Sequence, residues 1–472
     1  QNIKAWLDSE DRASLKAKRR DANDLFRLTG ITFNVYGSSE GEERLIPFDI
    51  IPRVITSNEW NKICKGLEQR VRAINAFLYD IYHSQEIVKA GILPLEMLKN
   101  NPAFLLQMIG VNPPGQIYTH ISGVDIIRTE ENEFYVLEDN IRTPSGVSYM
   151  LENREITRRL YPNLLPQQKV LQVSNYPQML YNQLTTLSKK SNPVIALLTP
   201  GLYNSAYYEH SYLAQQMGID LVEGIDLIVK NNVVYKKTIE GLQKVDVVYR
   251  RVDDDFLDPD VGNSKSVIGV KGLIKAWKNK NVAIVNAPGC GIADDKAVYT
   301  YVPDMIKYYL NEDPILPNIK TFILKNKEDR NYAFENFTNM VFKPVAESGG
   351  YGIVIGRNIK KDDRSIIKKN ILKDPKNFVA QPLISLSTTP TFRKDSIFPR
   401  HLDLRPFILS GKETYVTVGG LTRVALKRGS TVVNSSQGGG SKDTWVVGAC
   451  LLYTSDAADE GLGVDLGGRR II

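Results

Sequence analysis

A lysine and a run of glycines lie close together in the segment MVFKPVAESGGYGIVIGR, residues 340–357. Lys343 has β-branched and aromatic neighbours, which favour a half-buried strand, and a buried ammonium is costly unless an anion meets it. Glycines in the following loop let backbone N–H groups approach phosphate oxygens closely. The pattern indicates a lid over a nucleotide phosphate, although a β-hairpin with a surface lysine explains it equally well. The loop residues with this predicted role are Glu347, Ser348, Gly349 and Gly350.

A second chemical pattern is the segment VLEDNIRTPSG, residues 136–146. The period-2 alternation of a strand places Glu138 and Asn140 on one face and Asp139 on the other. Two oxygen ligands on one face suit a hard cation such as magnesium, and Asp125 on the preceding predicted strand is a candidate third ligand. A capped strand that ends in an ordinary turn is the alternative interpretation.

The turn after this strand offers hydrogen-bond donors to an anion. Arg142 supplies a guanidinium, Thr143 and Ser145 supply hydroxyls, and the turn that ends at Gly146 provides backbone N–H groups. These groups suit a transferring phosphoryl group or a substrate carboxylate. The turn is therefore a candidate substrate-binding loop.

Two further segments follow predicted strands of an α/β domain, where ligands usually bind at the carboxyl ends of the strands. One is YRRVDDD, residues 249–255, and the other is TPGLYNS, residues 199–205, which leads into a helix. A solvated charged loop explains the first segment equally well, and a lone histidine such as His210, in the turn after the second segment, is more often structural than a base. The candidate substrate contacts in and after these segments are Tyr203, Asn204, Glu209, His210, Arg250, Arg251 and Asp253.

The last third of the chain contributes weaker candidates. Gln381 and Pro382 end a predicted strand whose backbone groups suit an adenine edge. Asp403 and Arg405 share a face by period-2 alternation, as they would on a strand that lines a polar site. Arg423 and Asn434 are supporting candidates on later segments that resemble strands. An exposed strand face would produce the same pattern.

The elements that position these residues fall into several predicted regions. An apolar stripe at helical spacing, from Trp60 to Leu78, indicates a packing helix, and the segment from Asp294 to Leu310 is predicted to be a helix with Lys296 in its first turn. Strand and helix signals alternate from Val194 onwards, which is typical of an α/β domain. The regions are 1–115 (helical), 116–191 (metal-binding strands and a helical connector), 192–290 (α/β substrate domain), 291–447 (nucleotide-binding region) and 448–472 (a tail that we expect to be non-native and disordered).

Composition narrows the function classes. The 472 residues include 60 basic and 53 acidic ones, so the net charge of +7 is a thin excess that suits small anionic ligands, and no aromatic pattern accompanies it to indicate nucleic acid. Three widely spaced cysteines and four histidines support neither a disulfide framework nor a zinc site. The apolar stretches are shorter than the roughly 20 residues of a membrane helix. We therefore expect a cytoplasmic enzyme.

Four segments together resemble a known family. FKPVAESGGYGI, VLEDNIRTPSG, YRRVDDDFLDPD and TPGLYNSAYYEH are similar to the circularly permuted ATP-grasp family (type 2), which is related to the synthetase domain of glutathionylspermidine synthase. The resemblance extends to about Trp445. It implies an α/β (α+β) ATP-grasp fold, circularly permuted because the metal strand precedes the nucleotide lysines, with a helical N-terminal region and an α/β pre-ATP-grasp-like domain.

The resemblance also implies roles for individual residues. Lys296 and Lys343 match the two nucleotide lysines, and the turn from Arg142 to Gly146 matches the substrate-side loop. The implied metal ligands are Asp125, Glu138 and Asn140, and the implied adenine hinge is Gln381, Pro382 and Leu383.

These patterns predict an ATP-dependent ligase that joins a carboxylate to an amine through an acyl phosphate. Arg142, Lys343 and Arg250 are the predicted catalytic residues, and ATP and Mg²⁺ the predicted cofactors. The expected partners are a small-molecule or peptide carboxylate and amine, and a protein of the same pathway, without nucleic acid or membrane. The alternatives are a nucleotide-binding scaffold without turnover and a phosphotransferase that acts on a hydroxyl group.

Overall fold

The computed structural model describes residues 2–34, 43–99, 101–346, 352–431, 433 and 438–448. The α-helices of this part of the chain are α1 (Asn2–Ser9), α2 (Arg12–Leu28), α3 (Ser57–Ile81), α4 (Glu86–Lys89), α5 (Val147–Leu160), α6 (Leu164–Gln167), α7 (Tyr176–Thr185), α8 (Tyr207–Met217), α9 (Asp254–Leu257), α10 (Leu273–Lys278), α11 (Val302–Met305), α12 (Lys327–Glu335) and α13 (Lys361–Lys373).

The strands alternate with these helices and with short 3₁₀ turns. They are β1 (Thr32–Asn34), β2 (Glu43–Leu45), β3 (Phe48–Thr56), β4 (Ile121–Arg128), β5 (Phe134–Asn140), β6 (Ile195–Leu198), β7 (Asp220–Val222), β8 (Leu227–Lys230), β9 (Val233–Thr238), β10 (Gly241–Lys244), β11 (Val247–Arg250), β12 (Ala283–Val285), β13 (Phe322–Ile323), β14 (Met340–Pro344), β15 (Val354–Ile355), β16 (Phe378–Pro382), β17 (Thr388–Arg393), β18 (Ser396–Arg405), β19 (Phe407–Ser410), β20 (Thr414–Val416), β21 (Leu421–Val424) and β22 (Gly440–Val447).

The largest sheet has nine strands within the described residues. Its order is β20-β19-β4-β18-β21-β22-β3, with β5 paired to β4 and β17 paired to β18. Helix α3 covers one face of this sheet, where Trp60, Leu67 and Val71 pack against apolar side chains such as Val124 and Ile126. The residues of β4 that alternate with these two point to the opposite face, and the register shift between β4 and β5 at Asp125 and Ile126 places Glu138 and Asn140 on that face as well.

A smaller antiparallel sheet has the order β13-β16-β14-β15. On one face Phe342 and Ala380 pack against apolar side chains of α12 and α13, such as Ala333 and Ile371. Phe342 pairs with Ala380, and Lys343 pairs with Val379 on the other face. The sheet therefore buries one face and turns Lys343 towards the rest of the molecule.

The third sheet that matters for the site is parallel, with the order β12-β11-β6-β7. Its strands fall inside the predicted 192–290 region, and alternate residues of β6, Ile195 and Ala196, belong to separate apolar clusters on its two faces. Burial on both faces explains the continuous apolar runs of its strands. The hairpin strands β8 to β10 form a separate three-stranded sheet beside it.

The N-terminal region is mostly helical, as the sequence predicted, but it also supplies β3, which joins the nine-stranded sheet as an edge strand parallel to β22. Pro52 lies where the register of that pair shifts, and an edge strand with an irregular register tolerates the missing N–H.

The predicted helix from Asp294 to Leu310 is divided. Lys296 lies in a turn, and 3₁₀, α and π segments follow in succession from Val298 to Leu310. The carboxylate of Asp295 accepts hydrogen bonds from the N–H groups of Ala297 and Val298, at 2.7 and 3.1 Å. Because these bonds close a separate turn, the helix does not begin at Asp294.

No helix in the described residues is long and apolar enough to cross a membrane. The predicted tail lies outside the described residues from residue 449 onwards. The division of the chain at 115, 191, 290 and 447 stays a prediction.

Candidate active site

Lys343 is the buried cation of the site. Its exposed fraction is 6%, and it makes no hydrogen bond or ion pair with the part of the chain that the structure describes. Burial lowers the pKa of Lys343, nearby Lys296 lowers it further, and Glu138 and Asp125 raise it. These neighbours indicate that the Lys343 face of the smaller sheet lies towards the polar face of the nine-stranded sheet.

Lys296 lies next to the same strand. Its backbone N–H donates to the carbonyl oxygen of Val345, just beyond the end of β14, at 3.4 Å, and its side chain is half-buried. The structure therefore brings together the two lysines that the resemblance assigns to the nucleotide. Two ammonium groups that share a half-buried space favour a ligand with several negative charges.

Glu138 and Asn140 lie on the polar face of β5, opposite Asp125 and Gly123 of β4. Glu138 is half-buried and makes no hydrogen bond or ion pair within the described residues. The side-chain amide nitrogen of Asn140 is buried and has no hydrogen-bond partner there either. The carboxylate of Glu138 and the amide oxygen of Asn140 are the atoms that could bind a cation, whereas the unpaired amide nitrogen of Asn140 is a donor suited to an anion.

Asp125 has different partners from those predicted. Arg405 donates to both carboxylate oxygens of Asp125, at 2.5 and 2.8 Å, and Arg423 donates at 2.7 Å. Burial alone would raise the pKa of Asp125, but the two arginines hold it well below its usual range. Arg423 also binds the carboxylate of Asp403 with two hydrogen bonds, at 2.9 and 2.5 Å. Asp125 is thus committed to a buried ion-pair network.

The arrangement fits magnesium through Glu138 and Asn140 rather than through three protein ligands. Among the described residues, no group of three or more His, Cys, Asp or Glu side chains is placed to hold a metal ion. Magnesium in nucleotide sites takes one or two carboxylates and fills its octahedron with water and phosphate oxygens. A second carboxylate ligand is therefore not required.

The loop 142–146 lies between the nine-stranded sheet and the parallel sheet. The side chain of Asp294 accepts hydrogen bonds from the backbone N–H and Nε of Arg142, at 3.1 and 3.2 Å, and Asp253 lies 3.5 Å from the same Nε. Burial opposes the charge of Arg142, but these aspartates outweigh it and raise the pKa of Arg142. The terminal nitrogens of this guanidinium have no hydrogen-bond partner in the described part of the chain.

Arg251 and Glu209 hold this loop from the side of the parallel sheet. Arg251 donates to the carbonyl oxygen of Pro144 at 2.6 Å and to the hydroxyl of Ser145. Glu209 accepts from the N–H of Gly146 at 2.8 Å and from the N–H and hydroxyl of Ser148 at 3.0 Å. Glu209 thus satisfies donors at the start of α5 and Arg251 satisfies acceptors of the loop, so both buried side chains act on the loop rather than on solvent.

Arg405 holds the loop from the other side. Its Nη1 donates to the carbonyl oxygen of Ser145 at 3.1 Å, while the rest of its guanidinium binds Asp125. The backbone N–H and hydroxyl of Thr143 and the backbone N–H of Ser145 make no hydrogen bond to described residues. The loop therefore presents a fixed set of unused donors.

Two predicted site residues are enclosed by protein contacts. Arg250 is fully buried, donates to the carbonyl oxygens of Asn286 and Val252 at 2.8 Å, and pairs with Asp254 at 2.9 Å. The Nδ1 atom of His210 lies 2.8 Å from the hydroxyl of Thr199, and burial holds the pKa of His210 well below its usual value. Both side chains are therefore buried and have hydrogen-bond partners among the described residues.

The remaining candidates are at the edges of the site. The side-chain oxygen of Asn204 accepts from the N–H of Ala206 at 2.8 Å, which makes a local turn. Gln381 donates to Thr321 at 2.9 Å, and the Leu383 N–H donates to the carbonyl of Asn339 at 2.7 Å, so that N–H is not available to an adenine edge. Pro382 pairs with Met340. Glu347, Ser348, Gly349, Gly350 and Asn434 lie outside the described residues, as does the side chain of Tyr203.

Comparisons with known proteins identify the family of this chain. The family model described as circularly permuted ATP-grasp type 2 matches residues 52–425. The chain belongs to this ATP-grasp family. The family match confirms the resemblance and the fold class predicted from the sequence.

Relatives of this ATP-grasp protein cover most of its length. An uncharacterized protein of Synechocystis is 49% identical over 426 residues, which are 90% of this chain and 88% of the relative. A Frankia casuarinae protein, provisionally named glutamate–cysteine ligase 2-2, is 40% identical over 423 residues, which are 88% of this chain and 48% of the relative.

A solved structure has the same fold. It is the apo form of a glutathione synthetase-like effector from Globodera pallida, with a TM-score of 0.63 and 14% sequence identity. The match covers 94% of the ATP-grasp chain described here and 99% of that chain. At this identity the match supports the fold alone.

Sequence reasoning missed several residues that shape the site. Asp294 fixes Arg142, and Arg70 of α3 binds both oxygens of Asp139 at 2.7 Å on the far side of β5. The sequence did contain a signal for Arg70. This residue lies between Leu67 and Ile74 at helical spacing, within the apolar stripe of α3. A charged side chain on that buried face requires a buried partner of opposite charge. No sequence pattern of this kind indicates that Asp294 binds Arg142.

Proposed function

We propose that this protein is an ATP-dependent carboxylate–amine ligase that forms an amide through an acyl phosphate. The observation that carries the proposal is Lys343, a buried ammonium without a protein partner in the described residues, on a sheet face turned towards Glu138. A buried unpaired cation is unfavourable unless a ligand supplies the negative charge. The provisional name of the Frankia relative, a glutamate–cysteine ligase, supports the same reaction class, although the match covers 48% of that protein.

In the first step, an oxygen of the substrate carboxylate bonds to the γ-phosphorus of ATP, and the bond from that phosphorus to the β-γ bridging oxygen breaks. ADP leaves with the electrons of the broken bond and their negative charge. In the second step, the amine nitrogen bonds to the acyl carbon, inorganic phosphate leaves with the bonding electrons, and the amine loses one proton. The products are an amide, ADP and phosphate.

The residues of the chain have distinct parts in this scheme. Lys343 and Lys296 lie where they would bind nucleotide phosphates and offset their charge. The free terminal nitrogens of Arg142 and the free donors of Thr143 and Ser145 would bind the carboxylate and then the acyl phosphate. Glu138 and Asn140 would hold Mg²⁺, which when bound neutralises charge on the phosphates.

Glu209 and Arg251 have a positioning role in the proposal. They contact the loop 142–146 and not the space in front of it. Because positioning errors near 1 Å cost as much as about 100-fold in rate, a loop fixed from both sides is valuable to a two-step reaction. Arg250 and His210 are proposed here to stabilise the fold.

Isothermal titration of ATP with and without magnesium tests the proposal. Wild type should bind MgATP, and Glu138→Ala/Asn140→Ala should lose the magnesium dependence. Glu130→Ala/Glu131→Ala is the matched control, because both residues are exposed in the turn that joins β4 to β5. A wild-type protein that binds no nucleotide contradicts the proposal.

Product analysis then defines the reaction. A screen of acids and amines should yield ADP, phosphate and an amide in equal amounts. A phosphate ester in place of the amide would identify a phosphotransferase, and binding without ADP release in any mixture would identify a scaffold.

A further inference from the structure

Three arginines without an acidic partner lie where helix α2 contacts the hairpin of β17 and β18. They are Arg19, Arg393 and Arg400, and none of them forms an ion pair with the residues that the structure describes. Elsewhere in the protein a buried arginine binds a carboxylate, as Arg70 binds Asp139 at 2.7 Å. Guanidinium groups that gather without an acid are unfavourable unless an anion from outside the chain joins them.

Arg400 is the buried member of this group. Its exposed fraction is 8%, and its Nη1 donates to the carbonyl oxygen of Pro399 at 2.9 Å. Its buried Nε has no hydrogen-bond partner in the described part of the chain, and neither has its second terminal nitrogen. The guanidinium lies 5.2 Å from the centre of the Phe398 ring, which offsets part of the cost of burial but supplies no acceptor for the free nitrogens.

The geometry of α2 brings Arg19 to the same hairpin. Arg12 donates to the hydroxyl of Ser396 at 3.2 Å, and Lys16 pairs with Asp395 at 3.0 Å. This face of α2 therefore contacts the turn between β17 and β18. Arg12, Lys16 and Arg19 follow one another at spacings of four and three residues, which places all three on one face of the helix. Arg19 thus lies beside the hairpin, beyond its turn.

The strand pairing brings Arg393 and Arg400 together. Arg393 pairs with Ser396, and Thr389 pairs with Arg400. Directly opposed residues of two strands share a face, and so do residues four positions apart on one strand. Arg393 and Arg400 therefore project from the same face of the hairpin.

The acidic side chains near the group are already bound. Burial and the charges of Arg19 and Arg400 lower the pKa of Arg393. Asp49 opposes this effect, but buried Lys442 binds its carboxylate. The carboxylate in the hairpin turn is likewise paired with a lysine of α2. The three arginines therefore have a net positive charge that the described residues do not neutralise.

Phosphate is the anion that fits this arrangement. A guanidinium group binds two phosphate oxygens through parallel hydrogen bonds. A phosphate monoester has about two negative charges and three acceptor oxygens, so it can contact more than one arginine, whereas one carboxylate neutralises a single arginine. The group is also separate from the candidate active site, because Arg400 lies about 17 Å along β18 from Arg405.

We propose that Arg19, Arg393 and Arg400 bind a phosphate group, and we call these residues the three-arginine site. The ligand is inorganic phosphate or a phosphate monoester, free in solution or carried by a lipid headgroup, since both sources present the same oxygen atoms. The three-arginine site does not depend on the proposed ligase reaction, so the two proposals can fail separately.

Isothermal titration at constant ionic strength, with chloride as the compensating ion, tests the site. The probes are inorganic phosphate and vesicles of phosphatidylcholine and phosphatidic acid in equal parts, compared with vesicles of phosphatidylcholine alone. The test variant is Arg19→Gln/Arg393→Gln, because both side chains are partly exposed and have no ion pair to lose. The control is Arg72→Gln/Arg158→Gln, which removes the same charge from the exposed faces of α3 and α5.

The expected result is that wild type and the control bind the phosphate probe with equal affinity. The test variant should bind it about tenfold more weakly or less, as expected for the loss of charge-assisted hydrogen bonds, and Arg393→Gln alone should show a smaller loss. MgATP affinity should be unchanged in both double variants. Binding of inorganic phosphate would identify a soluble ligand, and binding of phosphatidic acid vesicles alone would identify a lipid headgroup.

Three results would overturn the inference. Wild type binds neither phosphate probe, or the test variant binds as tightly as the control, or Lys343→Met loses phosphate binding while the test variant keeps it, because phosphate then occupies the nucleotide site. A single-stranded oligonucleotide is the last probe. If the three arginines bind it but neither phosphate probe, they form a nucleic-acid surface and the phosphate site is wrong.

Discussion

Arg405 binds both carboxylate oxygens of Asp125, at 2.5 and 2.8 Å, and with its remaining nitrogen holds the carbonyl oxygen of Ser145 at 3.1 Å. One side chain therefore connects the ion-pair network of the nine-stranded sheet to the loop that would bind substrate. Since Arg423 binds the same carboxylate, Asp125 is engaged in two ion pairs, and the metal-ligand role predicted from the sequence stays a prediction.

This relationship predicts opposite behaviour for two acidic residues. Asp125→Ala should destabilise the protein by about 3–5 kcal/mol, because it leaves Arg405 and one bond of Arg423 buried without the partner charge. Glu138→Ala should barely change stability, because Glu138 has no protein partner among the described residues. Melting temperatures measured by differential scanning calorimetry compare the two variants.

Magnesium titrations complete that comparison. Glu138→Ala should lose the magnesium dependence of ATP binding, whereas any Asp125→Ala protein that remains folded should keep it. An Asp125→Ala protein as stable as wild type but insensitive to magnesium would restore Asp125 as a metal ligand.

Lys343 allows a second prediction. Lys343→Met removes the buried ammonium but keeps the length of the side chain, so MgATP affinity should fall by about 10- to 100-fold, as expected for a lost charge-assisted hydrogen bond worth about 1.5–3 kcal/mol. Stability should not fall, because an unpaired buried charge is removed. Titration calorimetry and thermal unfolding measure the two effects.

Lys376→Met is a matched control for that substitution, since Lys376 is exposed in the turn before β16. Equal MgATP affinity of Lys343→Met and Lys376→Met would show that Lys343 does not contact the nucleotide. A large loss of stability in Lys343→Met would instead indicate a structural lysine.

The sequence pattern within one segment was sufficient to predict which side chains share a face of a strand. Period-2 alternation placed Glu138 and Asn140 together, and the pairing of β4 with β5 puts both on the polar face, while Asp139 binds Arg70 on the opposite one. Likewise, Asp403 and Arg405 share a face of β18. Which side chains share a face depends only on the alternation within one strand, so it can be predicted from the sequence alone.

The hydrogen-bond and ion-pair partners of those side chains could not be predicted from the pattern within one segment. Arg405 and Arg423 lie 280 and 298 positions from Asp125, and their meeting depends on the order of strands in a nine-stranded sheet. Glu209 was predicted to contact substrate, yet it accepts bonds from Gly146, 63 positions away. A carboxylate ligand and a carboxylate cap are the same residue type, and only the fold distinguishes them.

The position of Glu209 leads to a third prediction. Glu209→Gln keeps the size of the side chain but weakens the bonds to Gly146 and Ser148, so the loop 142–146 should lose its fixed position. We expect the rate of amide formation to fall about 10- to 100-fold with little change in MgATP affinity. Rates of ADP release, measured with the acid and amine found in the screen, provide the comparison.

Glu155→Gln is the control for Glu209→Gln, because Glu155 pairs only with arginines on the exposed face of α5. Equal rates for the two variants would exclude a positioning role for Glu209. A parallel loss of MgATP affinity would indicate that the substitution disturbs the nucleotide site as well.

His120 provides a prediction about pH. It lies at the start of β4, both of its ring nitrogens are buried without a hydrogen-bond partner in the described residues, and burial lowers the pKa of His120 to about 4. The unfolded chain, with a histidine pKa near 6.5, binds this proton more readily than the folded protein does. The contribution of His120 to stability is therefore undiminished above pH 6.5 and falls as the pH drops from 6.5 towards 4.

The shift corresponds to a loss of about 3 kcal/mol across that window, at 1.36 kcal/mol per pKa unit. His120→Leu cannot take up the proton, so the stability difference between wild type and this variant should change by that amount between pH 7 and pH 4. Urea unfolding at both pH values measures it, and the comparison cancels the titration of other groups. A difference that does not vary with pH would mean that His120 is solvated or paired when protonated.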